Sequence, residues 1–142
     1  MQTVACVNCK GGAAKTNTCR YRAQCLAKAG CRVLAVELDP QASLSAMLGL
    51  QPEFDLKEGD TIYGAIRYDG VRRPVRDCIR RTYFDGLDPI PGNLELMEFE
   101  HETPRALALG SRLPGGMVVE RVGKALAEIE ADYDIVGVGC PA

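Results

Sequence analysis

Two runs near the N-terminus hold residue types that can do chemistry. The first, Lys10-Gly11-Gly12-Ala13-Ala14-Lys15-Thr16-Asn17-Thr18, sets two lysines and two hydroxyls around a glycine pair. Glycines let backbone N–H groups close around a phosphate, a following helix adds partial positive charge at its N-terminus, and a lysine neutralises the outer oxygens. Lys15 is the candidate for that lysine, and Gly11, Gly12, Ala13, Ala14, Lys15, Thr16 and Asn17 form the candidate cradle. The second run is Cys6-x-x-Cys9, a spacing used for thiol exchange or metal binding. Zinc usually takes four ligands, and no second C-x-x-C or histidine pair accompanies this one; the single histidine is His101. Cys19, Cys25 and Cys31 recur every six residues, which does not place all three on one helical face. Reduced thiols outweigh the metal or redox reading.

The cradle needs a strand before it and a helix after it. Thr3 to Val7 is a short apolar run, expected as a buried parallel strand. Lys15 to Ala29 contains no proline and stops at Gly30, which predicts a helix, and Arg32 to Val36 reads as a second buried strand. Such a strand-loop-helix-strand unit is right-handed and puts its loop at the carboxyl edge of the sheet, where ligands bind.

Short helices are expected over Ser43 to Leu48, from a Thr61 cap through Ile66, and from Pro74 towards Arg80. Leu87 to Pro91 is expected as a strand weakened by its prolines, and Asn93 to His101 as helix or loop. Val118, Val122, Ala125, Leu126 and Ile129 recur at helical spacing, with Glu120, Arg121, Lys124 and Glu128 assigned to the opposite, solvent face. A core strand over Asp134 to Val138 follows. Gly110 and Pro114-Gly115-Gly116 read as loops.

A chain of 142 residues fits one domain. The formal charge of −2 and a pI near 5.5 give no general attraction to nucleic acid or an anionic membrane, so any DNA contact needs a local basic patch. No apolar run approaches the roughly 18 residues of a membrane span, and the N-terminus lacks the order of a signal peptide, so a cytoplasmic protein is expected. Seven cysteines, most of them within predicted elements, do not form a secreted disulfide framework.

The cradle resembles the deviant Walker A motif of the ParA/MinD family, KGGxGK[ST]T. Glu37-Leu38-Asp39-Pro40-Gln41 is similar to that family's DxDPQ segment, and Asp134 to Pro141 to its Walker B strand, which ends in an acidic residue followed by Cys-Pro. Gly64 to Tyr68 and Pro91 to Glu98 are similar to RepA-like plasmid partition proteins, so the resemblance covers essentially the whole chain. It implies an α/β fold, P-loop NTPase-like, with a mostly parallel sheet and flanking helices. It also implies ATP and Mg2+ as ligands, with Lys15 stabilising the transferring phosphoryl group, Thr16 holding the magnesium ion, Asp39 placing the attacking water and Lys10 reaching the nucleotide of a partner subunit. The implied partners are a second ParA-type subunit, in a homodimer or heterodimer, a centromere-binding partition protein and non-specific DNA. Arg72, Arg73, Arg76, Arg80 and Arg81 could supply DNA phosphate contacts, although a solvated helix face is favoured.

Several positions depart from the family pattern. Ala14 replaces the glycine before the lysine, where a Cβ strains the turn or crowds the nucleotide. Asn17 replaces a hydroxyl residue. Gly139 replaces the Walker B aspartate, and no neighbour is expected to supply its carboxylate: Asp134 lies ~16 Å back along the strand. Arg22 shares a face with Cys19, Ala23 and Leu26, so its head must snorkel outward or find a partner. Gly137 weakens its strand, whereas Glu37 for aspartate reads as a mild change. The chain ends just after a core strand with one sheet face uncovered, which reads as a missing C-terminal portion. Impaired hydrolysis is expected; the alternative is a non-catalytic remnant or interaction module that pairs with an intact ParA subunit.

Overall fold

In the computed structural model, which describes residues 1–6, 14–68, 70–108 and 118–141, four strands form one parallel sheet. The strands are β1 (Gln2–Cys6), β2 (Val33–Glu37), β3 (Leu87–Ile90) and β4 (Ile135–Gly139), in the spatial order β1-β4-β2-β3. The helices are α1 (Lys15–Lys28), α2 (Ser43–Met47), α3 (Pro52–Asp55), α4 (Ile62–Ile66), α5 (Leu96–Ala108) and α6 (Val118–Ala127), with a 3₁₀ helix over Val75–Cys78. The expected α/β class with a parallel sheet is what forms.

β2 is buried at every position, as its unbroken apolar run demands of a strand covered on both faces. Its alternate side chains enter two cores. Leu34 and Val36 join Val136, Val138 and the apolar faces of α4, α5 and α6, while Val33 and Ala35 pack with Cys19, Ala23, Leu44 and Leu48 of the α1–α2 side. α1 ends as expected: Gly30 takes φ +92°, and the N–H groups of Gly30 and Cys31 return to Ala27 and Leu26 carbonyls.

Three expectations are corrected and one is made definite. β1 lies at the sheet edge and is largely exposed, because β4 rather than an outer strand pairs with it. Pro74 to Arg80 forms only one 3₁₀ turn instead of a helix; the arginines of this segment stay largely exposed, with Arg73 and Arg80 paired to Asp60 and Arg76 to Asp132. The segment expected as helix or loop over Asn93–His101 is helical from Leu96, where α5 begins, and α5 runs on through Pro104 to Ala108. Arg121 is buried at 3% exposure; it stacks 3.9 Å over the Tyr68 ring and donates to the carbonyls of Ile66 and Arg67 at 3.2 and 2.9 Å. Those carbonyls close α4 and have no further turn to bond, so a buried cation meets real acceptors there. The expected loops at Gly110 and Pro114-Gly115-Gly116 lie outside the described residues.

Candidate functional site

β2 and β4 run side by side to the same edge, with Val33 opposite Ile135 and Glu37 opposite Gly139. α1 opens towards that edge. Ala14, its N-cap, sits in the left-handed region at φ 55° and ψ 21°, the conformation a glycine takes without a Cβ penalty. The expectation of strain at Ala14 therefore has a concrete form. No side chain caps α1 and its first turn holds no acid, so its N-terminal partial charge is not offset by a neighbouring carboxylate of the helix. Lys15 and Thr16 are half-buried there, and Asn17 is exposed. Lys10, Gly11, Gly12 and Ala13, and Cys9 of the C-x-x-C, lie outside the described residues.

Glu37 ends β2 on the α1–α2 side and is only 3% exposed. Its Oε2 accepts the N–H groups of Leu44 at 2.6 Å and Ser45 at 3.2 Å, and its Oε1 accepts that of Asp39 at 3.3 Å. Burial pushes its carboxyl up to about 7, against the pull of those N–H groups. A Cβ built on Gly139 would lie 3.3 Å from Glu37 Oε1, so a carboxylate does stand beside position 139, contrary to the sequence expectation. A Cβ on Gly137 would meet Cys19 Sγ at an ordinary 3.6 Å.

Asp39 follows on the loop, half-buried, its Oδ1 accepting the Gln41 N–H at 2.9 Å and its carbonyl accepting that of Ala42 at 3.0 Å. The turn delivers Ala42 to α2 at φ 54°, a second left-handed alanine that sequence reasoning missed. Cys140 links the pieces electrostatically: burial and then Cys6 push its thiol up, Lys15 pulls it down, and Glu37 pushes it up. Lys15 and Glu37 thus both act on one thiol at the end of β4. Arg22, as expected, turns outward and is exposed above a small apolar cavity lined by Val4, Cys6, Cys19 and Leu26.

Among the described residues no group of three or more His, Cys, Asp and Glu side chains could hold a metal by themselves, and six cysteines are free thiols. The oxygen donors at the sheet edge are the Thr16 hydroxyl and the Glu37 and Asp39 carboxylates, with the Cys6 and Cys140 thiols beside them. The oxygen set suits magnesium, which keeps several waters and uses one or two carboxylates together with substrate phosphates rather than a protein cage.

A parallel sheet with an uncapped helix N-terminus and carboxylates at its carboxyl edge defines a nucleotide-binding α/β class. The AAA domain model matches residues 1–142, and the chain belongs to that family. Its relatives include a provisionally named replication protein A of Rhizobium rhizogenes, 48% identical over 99% of this chain and 35% of the relative. A chromosome-partitioning ATPase Soj of Treponema pallidum is 30% identical over 99% of this chain and 48% of its own. Cobyrinic acid a,c-diamide synthase of Mycobacterium smegmatis, solved with bound ADP and magnesium, aligns with a TM-score of 0.79 at 28% identity over 99% of this chain and 50% of that one. The expected kinship with ParA/Soj partition ATPases holds. The chain spans between about a third and a half of the length of these relatives. No helix among the described residues is long and apolar enough to cross a membrane.

Proposed function

We propose that residues 1–142 form one domain, the N-terminal nucleotide-binding portion of a ParA-type partition ATPase that acts in plasmid or chromosome segregation in the cytoplasm. It binds ATP with Mg2+ and hydrolyses it poorly. The observation that carries this reading is the convergence of Ala14–Asn17, Glu37–Asp39 and Gly139–Cys140 on one sheet edge. Lys15 neutralises the outer phosphates, Thr16 holds the magnesium ion and Asp39 orients water, while the α1 N-terminus supplies backbone donors. Magnesium, when bound, shields phosphate charge. The strained Ala14 and the altered Walker B end slow the chemistry more than the binding.

The working form is a dimer in which Lys10 reaches the other subunit's nucleotide, with a centromere-binding partition protein as the stimulating partner. DNA contact is weak in this reading, because Arg73, Arg76 and Arg80 are engaged with Asp60 and Asp132. Titration calorimetry of ATP with magnesium tests the core of the proposal. Saturable binding that Lys15→Ala abolishes supports it; no binding by the native chain leaves the non-catalytic partner of an intact ParA subunit.

A further inference from the structure

Three neighbours define the space around the end of β2. Gly139 faces Glu37 across the strand pair, and a Cβ there would come within 3.3 Å of both Glu37 Oε1 and Leu44 Cδ2. On another side, a Cβ at Gly92 would come within 2.7 Å of Glu37 Cγ. The α2 N-terminus holds Oε2 through the Leu44 and Ser45 N–H groups. The longer glutamate stem is therefore clamped, with its carboxylate in the room that a side chain at 139 would enter. Shortening residue 37 or enlarging residue 139 or 92 would disturb the same few cubic ångströms.

The two carboxylate oxygens are not used alike. Oε2 has two N–H donors, the shorter at 2.6 Å, whereas Oε1 has a single long contact of 3.3 Å among the described residues and is the oxygen turned to Gly139. A carboxylate offers about four acceptor sites, so Oε1 keeps capacity on the β4 side. A buried carboxylate with spare capacity is costly unless a cation or donor completes it.

We infer that Glu37 supplies the acidic group of the magnesium site that position 139 lacks, a cross-strand replacement in which the carboxylate comes from β2 instead of β4. The inference rests on the nucleotide-site reading above. It has a sharp corollary: putting aspartate back at 139 does not strengthen the site, because the new carboxylate is pressed against the one already there.

The test titrates a fluorescent ATP analogue onto the full chain in EDTA and across a magnesium series. Native protein, Glu37→Gln, Gly139→Asp and the double variant are compared after circular dichroism and thermal melting confirm each fold. Glu37→Gln is expected to raise the magnesium concentration for half-effect roughly 10- to 100-fold, with the loss confined to the magnesium series. Gly139→Asp alone gains nothing, and the double variant recovers magnesium dependence. An unchanged magnesium response in Glu37→Gln, or a gain in Gly139→Asp alone, overturns the inference while leaving nucleotide binding intact. If Glu37→Gln does not fold, Gly139→Asp decides by itself. Absence of binding by the native chain in both conditions removes the nucleotide reading and this inference with it.

Discussion

Ala14 and Ala42 hold left-handed backbone at the entrances to α1 and α2, a conformation that costs an L-residue about 1–2 kcal/mol. Ala14 is exposed, so glycine there removes strain without losing packing. After the extra freedom glycine adds to the unfolded chain, Ala14→Gly is expected to stabilise by about 0.5–1 kcal/mol and to raise Tm by about 2–4 °C for a 1 kcal/mol gain. Thermal melting reads this directly, and tighter ATP binding by the same variant would show that the Cβ also crowds the phosphate entrance. A second prediction concerns thiols. Cys25 is exposed, whereas Cys78 is fully buried and burial pushes its thiol up to about 11. Because the thiolate is the reactive form, iodoacetamide at pH 8 should modify Cys25 in the native protein and reach Cys78 only on unfolding, as peptide mass spectrometry would follow. Rapid native labelling of Cys78 would contradict the packing around the 3₁₀ turn.

Among the elements, α6 shows how an amphipathic pattern can mislead. Charged residues on a helix normally face water, and by that pattern Arg121 belongs to the polar face. Its guanidinium instead reaches the Ile66 and Arg67 carbonyls and the Tyr68 ring, partners more than fifty residues back in the chain, and no local period can reveal them. Arg121→Leu leaves those carbonyls without their charged donor and is expected to cost about 1.5–3 kcal/mol, measured by urea unfolding. A loss below roughly 0.5 kcal/mol would mean that water replaces the guanidinium at no cost. The arginines from Arg72 to Arg81 stay largely exposed, but their ion-pair partners are just as invisible to a local pattern. The density of arginines is plain in the sequence, but Asp60 and Asp132, which pair with three of them, arrive from two other places in the chain.

The whole molecule is tied at the opposite edge of the sheet from the candidate site. Asp134, just before β4, takes the Arg32 guanidinium through both oxygens, at 2.8 Å to Oδ1 and 3.3 Å to Oδ2, and Oδ2 also accepts the Arg32 backbone N–H at 2.8 Å. The hydrogen bonds from the Arg32 side chain, and then from its backbone, hold the Asp134 carboxyl down at about 2. A carboxyl lowered in the folded state stabilises above its unfolded value, near 4, and that contribution is lost as pH falls through about 2. Asp134→Asn should therefore be less stable than the native chain at pH 7, with the difference shrinking from about pH 5 downward and gone only near pH 1, below both values, in denaturant titrations. A gap that persists at its full size down to about pH 1 would assign the effect to something other than this charge. The pair is exposed, so the gap itself is expected to be modest.

Local chemistry was enough to establish from the sequence a first strand, the helix from Lys15 and its glycine stop, a buried second strand and a last helix leading to a third strand. Each depends on neighbours within a few residues, through glycine's freedom, the helical period or an unbroken apolar run. The class and the family follow from those pieces taken in order. What only the tertiary structure decided is what lies opposite what. β4 enters between β1 and β2, which leaves β1 at the edge and sets Glu37 against Gly139. An acid that reads as a mild substitution and a glycine that reads as a lost ligand thereby become one local arrangement, because side chains from strands far apart in the chain share space only once the register between them is set.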